Sequence, residues 1–214
     1  MIGKIREIVK SILEEEKKDK IVILDPSMLG EETPHPGEDM RLVGLFFDVA
    51  EDKVAEIVHA LLILNETNAG VEEEDEKHPV EFYISTYGGN ADDMFALYDI
   101  MRQVRKQTPI HTVGMGKVMS AGVLLLSAGT KGQRRIGKNC RVMMHSVIAG
   151  NHGSFHNLVK EVEAVEHLQK MYINCLVEET KMTKKDVKNL LERKVNVYLS
   201  AEEAVEYGIA DIIV

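Results

Sequence analysis

The sequence predicts an α/β protein of stacked βαβ units, and three observations carry that expectation. Runs rich in β-branched and apolar residues, such as 80–84 and 110–115, interleave with segments whose apolar residues recur at helical spacing. Glycine-bearing turns follow these runs and hand the chain to a new helix. Strand and helix signals alternate along the chain rather than segregating, the arrangement that builds a parallel sheet covered by helices.

Taken in order, a strand is expected over 42–47. A helix follows over about 50–64, with Val54, Ile57, Val58, Leu61 and Leu62 on one face. Residues 72–76 read as an acidic surface turn. The strand 80–84 ends in Ser85-Thr86-Tyr87-Gly88-Gly89, after which Asn90 caps a helix that turns Met94, Leu97, Tyr98 and Met101 inward. The next unit repeats the logic: strand 110–115, a tight turn at 116–119, and an apolar helix over 120–128 that stops at Gly129. Strand 141–144 delivers His145. A long helix over about 154–180 carries Leu158, Val159, Val162, Val165, Leu168, Tyr172 and Leu176 at helical spacing. Thr183 with Asp186, and Ser200 with Glu203, have the form of capping boxes that open two further helices. A strand over 210–214 closes the chain.

With 214 residues, one domain with a sizeable core is expected. A net charge of −9, with basic residues scattered among acids, argues against nucleic acid or an anionic membrane as partner. No segment approaches the roughly 18 uninterrupted apolar residues of a membrane span. Cys140 and Cys175 are too few for a disulfide framework and read as reduced packing residues, which fits a cytoplasmic protein. Residues 1–40 stand apart from the alternating pattern. Ile2, Ile5, Ile8, Val9, Ile12 and Leu13 describe an amphipathic helix, followed by a possible strand at 21–24 and an acidic loop rich in Pro and Gly over 25–40. That helix either packs on its own domain or docks a neighbouring subunit or partner.

Chemistry concentrates where strands hand over to helices. A serine hydroxyl needs an adjacent base, a group that orients the base, and donors for a developing oxyanion. Ser120 opens a helix, where the Ala121 amide is unpaired and the dipole favours negative charge. Gly89, leaving a strand in a Gly-Gly turn, offers a second amide, and a glycine there lets a substrate backbone approach. His145 stands at a strand end. Each signal has a bland counterpart: serine at such a junction is commonly a cap, and a strand-end histidine is commonly satisfied locally.

Their joint context is more informative. Gly88-Gly89-x-Ala91, the Leu-Tyr-Asp-Ile-Met run at 97–101, Met115-Gly116-x-x-x-Ser120-x-Gly122, Ala128-Gly129-x-Lys131-Gly132-x-Arg134, the Arg-Val-Met-Met-His run ending at His145, and Ser-Ala-Glu-Glu-Ala-Val-Glu-Tyr-Gly at 200–208 together resemble the ClpP family. The resemblance runs from about 41 to 214, so residues 1–40 form a divergent N-terminal region and 41–214 a ClpP-like serine peptidase domain. It implies a ClpP/crotonase-type fold with a projecting handle helix, two stacked heptameric rings of identical subunits, and an AAA+ unfoldase that delivers unfolded polypeptide. It implies no cofactor and no metal. By residue match Ser120 is the nucleophile, His145 the general base, and Gly89 and Ala121 the oxyanion amides. Gly88, Ile148, Gly150 and Gly153 match substrate-binding positions, the last three in a glycine-bearing strand beside the handle.

Several positions depart from the family pattern. Thr86-Tyr87 replaces its Ser-Pro, Ala121 its Met, and Ser146-Val147 the Gln-Pro after the histidine. The third triad position holds Asn196 where a carboxylate is usual. An amide can orient an imidazole but cannot stabilise its charged form; in a trypsin-type site the same change costs about 10⁴ in kcat, whereas Cys-His-Asn proteases work with it. The expectation is a working but attenuated serine endopeptidase, and the alternative is a noncatalytic ring subunit. A CoA-ester hydratase or isomerase of related fold needs no serine and histidine at this spacing. His152 and His156 flank a Gly-Ser pair and do not read as metal ligands; His111 reads as structural.

Overall fold

The computed structural model describes residues 41–71, 77–192 and 195–214. The expectations for 1–40 and for the acidic turn at 72–76 lie outside these residues. Among the described residues seven strands and six helices follow in the order β1 (Leu42–Leu45), α1 (Glu51–Glu66), β2 (Val80–Thr86), α2 (Ala91–Val104), β3 (Ile110–Met119), α3 (Ala121–Ser127), β4 (Arg135–Ile136), β5 (Arg141–Met144), α4 (Phe155–Glu179), α5 (Lys184–Leu191), β6 (Val197–Leu199), α6 (Ala201–Glu206) and β7 (Ile212–Ile213). The strands form one sheet in the order β1-β2-β3-β4-β7, with β5 joined to β3 and β6 joined to β5. Every pairing is parallel except β5 with β6, so the α/β class expected from the alternating pattern is the one observed.

Local signals fixed most helix starts. Asn90 accepts hydrogen bonds from the Asp92 and Asp93 amides, and both capping boxes form, at Thr183 with Asp186 and at Ser200 with Glu203. Helix α3 is different. Its seven residues are all buried, so packing against the sheet, rather than propensity, holds so short a helix.

The expected tight turn at 116–119 is a correction: β3 continues to Met119. On one edge it pairs with β2 from Ile110 to Gly114 and again, after a register shift, at Val118; on the other, Val113 and Gly114 pair with β4, and Lys117, Val118 and Met119 with Arg141, Val142 and Met143 of β5. Gly116, at φ +66, supplies the bend between the halves, a conformation that a residue with a Cβ adopts only at a cost. One edge of the strand therefore serves β4 and then β5 in succession, and its far end is braced by the strand that leads to His145.

In β2 burial alternates strictly, with Val80, Phe82, Ile84 and Thr86 fully covered beneath helices. The opposite face is only partly covered. Leu42, Phe46 and Met115 are 56%, 54% and 40% exposed on or beside it.

A buried polar network closes the back of the domain. Glu179 is fully buried; its carboxylate accepts from the Tyr98 hydroxyl at 3.0 Å and from Arg105 at 2.6 and 2.9 Å. Arg134 donates to the carbonyls of Ser127 and Glu179 and to both carboxylate oxygens of Asp211. Burial opposes ionisation of Asp211, yet hydrogen bonds from Arg134 and the Gly132 amide hold its carboxyl below the usual range. The arginine of the Ala128–Arg134 motif thus ties α3, α4 and the last strand together. Burial also pushes the Cys140 thiol up to about 11, which keeps it a packing residue.

Helix α4 runs for 25 residues, and its fully buried residues, Tyr172, Ile173, Leu176 and Glu179, all lie in its last third. The first turns stand away from the domain, with Phe155 75% and Val162 61% exposed. This is the projecting handle. Among the described residues no helix is long and apolar enough to cross a membrane.

Candidate active site

The backbone at Ser120 is the one non-glycine position with positive φ among the described residues, at φ 53 and ψ −119. Such a conformation costs on the order of 1–3 kcal/mol and persists only where the surroundings over-determine it. Three hydrogen bonds do so: the Ser120 amide donates to Met143 O at 2.8 Å, the Val123 amide donates to Ser120 O at 3.0 Å, and the Tyr172 hydroxyl donates to the same carbonyl at 3.0 Å. The side chain makes no capping bond to α3, so the commonest occupation of a serine at a helix start is absent here. Its hydroxyl stays free for nucleophilic work once a base accepts the proton.

The strand-to-strand bond from Ser120 to Met143 also sets the histidine. Strand β5 ends at Met144, and His145 emerges next to the serine turn. Ser120 and His145 line one cavity of about 450 Å³ together with Tyr87, Gly89, Ala121, Ile148 and Tyr172. No hydrogen bond joins the two side chains. The Nδ1 of His145 is buried and has no hydrogen-bond partner among the described residues.

The Gly-Gly turn forms the opposite wall. Val49 donates to Gly88 O at 2.7 Å and accepts from the Asn90 amide at 2.8 Å, so the Gly89 amide between them faces away from Val49. Thr86, in place of the family's serine, braces the turn: its hydroxyl donates to Phe47 O at 2.5 Å and accepts from the Gly88 amide at 3.1 Å. Gly88 has φ +104, and a Cβ there would lie 2.6 Å from Ser120 Cβ. Substituting Gly88 with Ala is therefore expected to displace Ser120 and to cost at least about 1–3 kcal/mol. A lowered melting temperature with slowed labelling of Ser120 by a fluorophosphonate would check this.

The other residues singled out from sequence are distributed differently. Ala121 and Ile148 line the Ser120 cavity, and Ala121 heads α3, where its amide has no partner within the helix. Gly150 lines a second, open groove of about 750 Å³, bordered by Leu158, Val162 and Gln169 of α4 and Leu191 of α5. Gly153 and Asn196 line neither, and Asn196 is exposed. The stretch 145–154 has no strand character, which corrects the expected strand beside the handle; no described strand lies alongside to pair with it. His111 Nδ1 lies 3.1 Å from Glu81, its register partner on β2. Sequence reasoning read Tyr172 as part of an apolar helix stripe and passed over Gln169. The available signal was chemical, since a tyrosine on a buried stripe needs a partner for its hydroxyl.

A parallel sheet that carries a serine on a strained strand-to-helix junction, with a histidine beside it in the same cavity, belongs to the class of α/β proteins equipped for hydrolysis. The comparisons with known proteins are narrower. A family model described as Clp protease matches residues 39–214. The chain is 32% identical over 173 residues to the ATP-dependent Clp protease proteolytic subunit 1 of Prochlorococcus marinus subsp. pastoris, covering 81% of this chain and 83% of that one. The protein of the same name from Leifsonia xyli subsp. xyli is 33% identical over 80% of this chain and 81% of its own. That of Corynebacterium glutamicum is 31% identical over 80% and 77%. The chain belongs to the Clp protease family, and its fold is that of the ClpP peptidases.

Proposed function

We propose that this subunit is a serine endopeptidase of a self-compartmentalised Clp-type protease, with Ser120 as nucleophile and His145 as general base. The observation that carries the reading is the strained Ser120, its hydroxyl uncommitted, in one cavity with His145 in a Clp protease family member. Attack by Oγ on a peptide carbonyl passes its proton to His145 and builds negative charge on the carbonyl oxygen. The Gly89 and Ala121 amides, on the walls of the same cavity, are the donors we assign to that oxygen. His145 then returns the proton to the leaving amine, and water completes the cycle at the acyl-enzyme. Gly88, Ile148, Gly150 and Gly153 are assigned to the path of the substrate chain.

The assembly belongs to the same proposal. Names of the relatives include ATP dependence, and we extend to this chain a ring assembly of identical subunits fed with unfolded polypeptide by an AAA+ unfoldase in the cytoplasm. The partly covered sheet face and the exposed apolar residues of the handle support association, because a parallel sheet is ordinarily covered on both faces.

Asn196 is assigned the orienting role toward His145. In the single chain it is exposed, and the buried Nδ1 of His145 has no partner among the described residues, a situation that costs about 1–3 kcal/mol and that an incoming amide oxygen relieves. The same observation favours a second reading, a noncatalytic ring subunit. Substituting Asn196 with Asp separates them: peptide turnover should rise by at least about tenfold, as carboxylate replaces amide beside an imidazolium. Unchanged or lower turnover removes the orienting role. A wild-type chain that neither cleaves peptides nor takes a fluorophosphonate at Ser120 supports the noncatalytic reading.

A further inference from the structure

Two side chains of the handle helix reach the backbone on both sides of the site. Gln169 Oε1 accepts from the Val147 amide at 2.7 Å, two residues beyond His145. Tyr172, one helical turn further along α4 and 4% exposed, donates to the Ser120 carbonyl at 3.0 Å. Spacing of three residues puts both on one face of the helix. The segment 146–149 that Gln169 holds is the shared wall of the two cavities: Ser146, Val147 and Ala149 line both. Among the described residues it belongs to no strand, so this bond is its tether to α4. The tether depends on a departure noted in the sequence. The family's proline after the histidine has no N–H, whereas Val147 has one, and Gln169 takes it.

We propose that Gln169 and Tyr172 are positioning residues through which α4 sets the relative placement of the His145 segment and the Ser120 turn. Neither touches a reacting atom through these bonds; each fixes a backbone on which a reacting side chain stands. The Tyr172 bond falls on the carbonyl of the strained residue itself, where one donor lost lets the peptide relax toward an ordinary conformation. The Gln169 bond fixes the wall against which a bound chain lies. The proposal rests on the reading of Ser120 and His145 as nucleophile and base.

The test uses the full chain as it assembles, with Tyr172→Phe, Gln169→Leu, Gln169→Glu, Val147→Pro and the double variant Gln169→Leu/Val147→Pro. Tyr172→Phe should slow fluorophosphonate labelling of Ser120 and kcat for a fluorogenic peptide by roughly tenfold, with KM little changed, the scale of one lost hydrogen bond felt in the transition state. Gln169→Leu should raise KM several-fold and speed hydrogen exchange at the Val147 amide. Gln169→Glu keeps an acceptor and should restore wild-type KM. Because Val147→Pro and Gln169→Leu remove opposite ends of one bond, the double variant should be no worse than the poorer single one. Wild-type kinetics in all variants, additive losses in the double, or losses that track melting temperature and assembly would overturn the proposal. A wild-type chain that takes no probe would instead overturn the nucleophile assignment and with it the catalytic sense of the positioning. Hydrogen exchange would still decide whether the two side chains hold those backbones.

Discussion

Replacing Ser120 with alanine is expected to abolish peptide hydrolysis, by a factor on the order of 10⁴ or more, and to remove fluorophosphonate labelling altogether. The size follows from the chemistry: without Oγ there is no acyl-enzyme, and the remaining cavity contributes only binding and the two amide donors. The melting temperature should barely move. The hydroxyl makes no capping bond, so nothing structural is lost with it, and the positive φ burdens alanine as it burdens serine. That pairing of outcomes is informative. Loss of activity together with a large loss of stability would assign Ser120 to structure instead, and residual hydrolysis near the wild-type rate would exclude it as nucleophile.

The second large effect concerns stability. Glu179→Ala is expected to destabilise the folded chain by about 3–5 kcal/mol, because it leaves the part-buried Arg105 without its carboxylate, holding only the Ala128 carbonyl, and strands the buried Tyr98 hydroxyl. For a chain of this length that corresponds to a fall of roughly 6–20 °C in melting temperature, read by thermal denaturation. Glu179→Gln should fall well short of that, since an amide oxygen still accepts from Arg105 or Tyr98. Equal losses for the two variants would show that the charge itself, which both remove, and neither packing nor the retained amide acceptor, is what matters. The expected damage reaches the site through α4, which carries both Glu179 and Tyr172.

Much of the architecture was legible because the information is local. Caps at Asn90, Thr183 and Ser200 depend on a few neighbouring residues, and the structure forms all three. The apolar stripe of α2, with Met94, Leu97, Tyr98 and Met101 inward, follows from helical periodicity alone. The order of strands and helices likewise appears along the chain. β3 was misread at Gly116 because a glycine followed by a change of pattern is the local signature of a turn; that the chain continues as a strand depends on β5, about 25 residues further on. The two-residue strand β4 and the three-residue β6 are too short to carry a period, and exist because a neighbour supplies their partners.

The site divides in the same way. Sequence singled out Ser120 and His145, their family resemblance, and the exchange of a carboxylate for Asn196, since residue identity and spacing are written in the chain. Sequence could not decide whether the Ser120 hydroxyl caps its helix, that its backbone is strained, or that Tyr172 and Gln169 reach it and its neighbour from α4. Nor could it decide that Asn196 stands exposed while the His145 Nδ1 lies buried with no partner among the described residues. These are relations between segments distant in the chain, fixed only when buried polar groups must find partners across the packed interior.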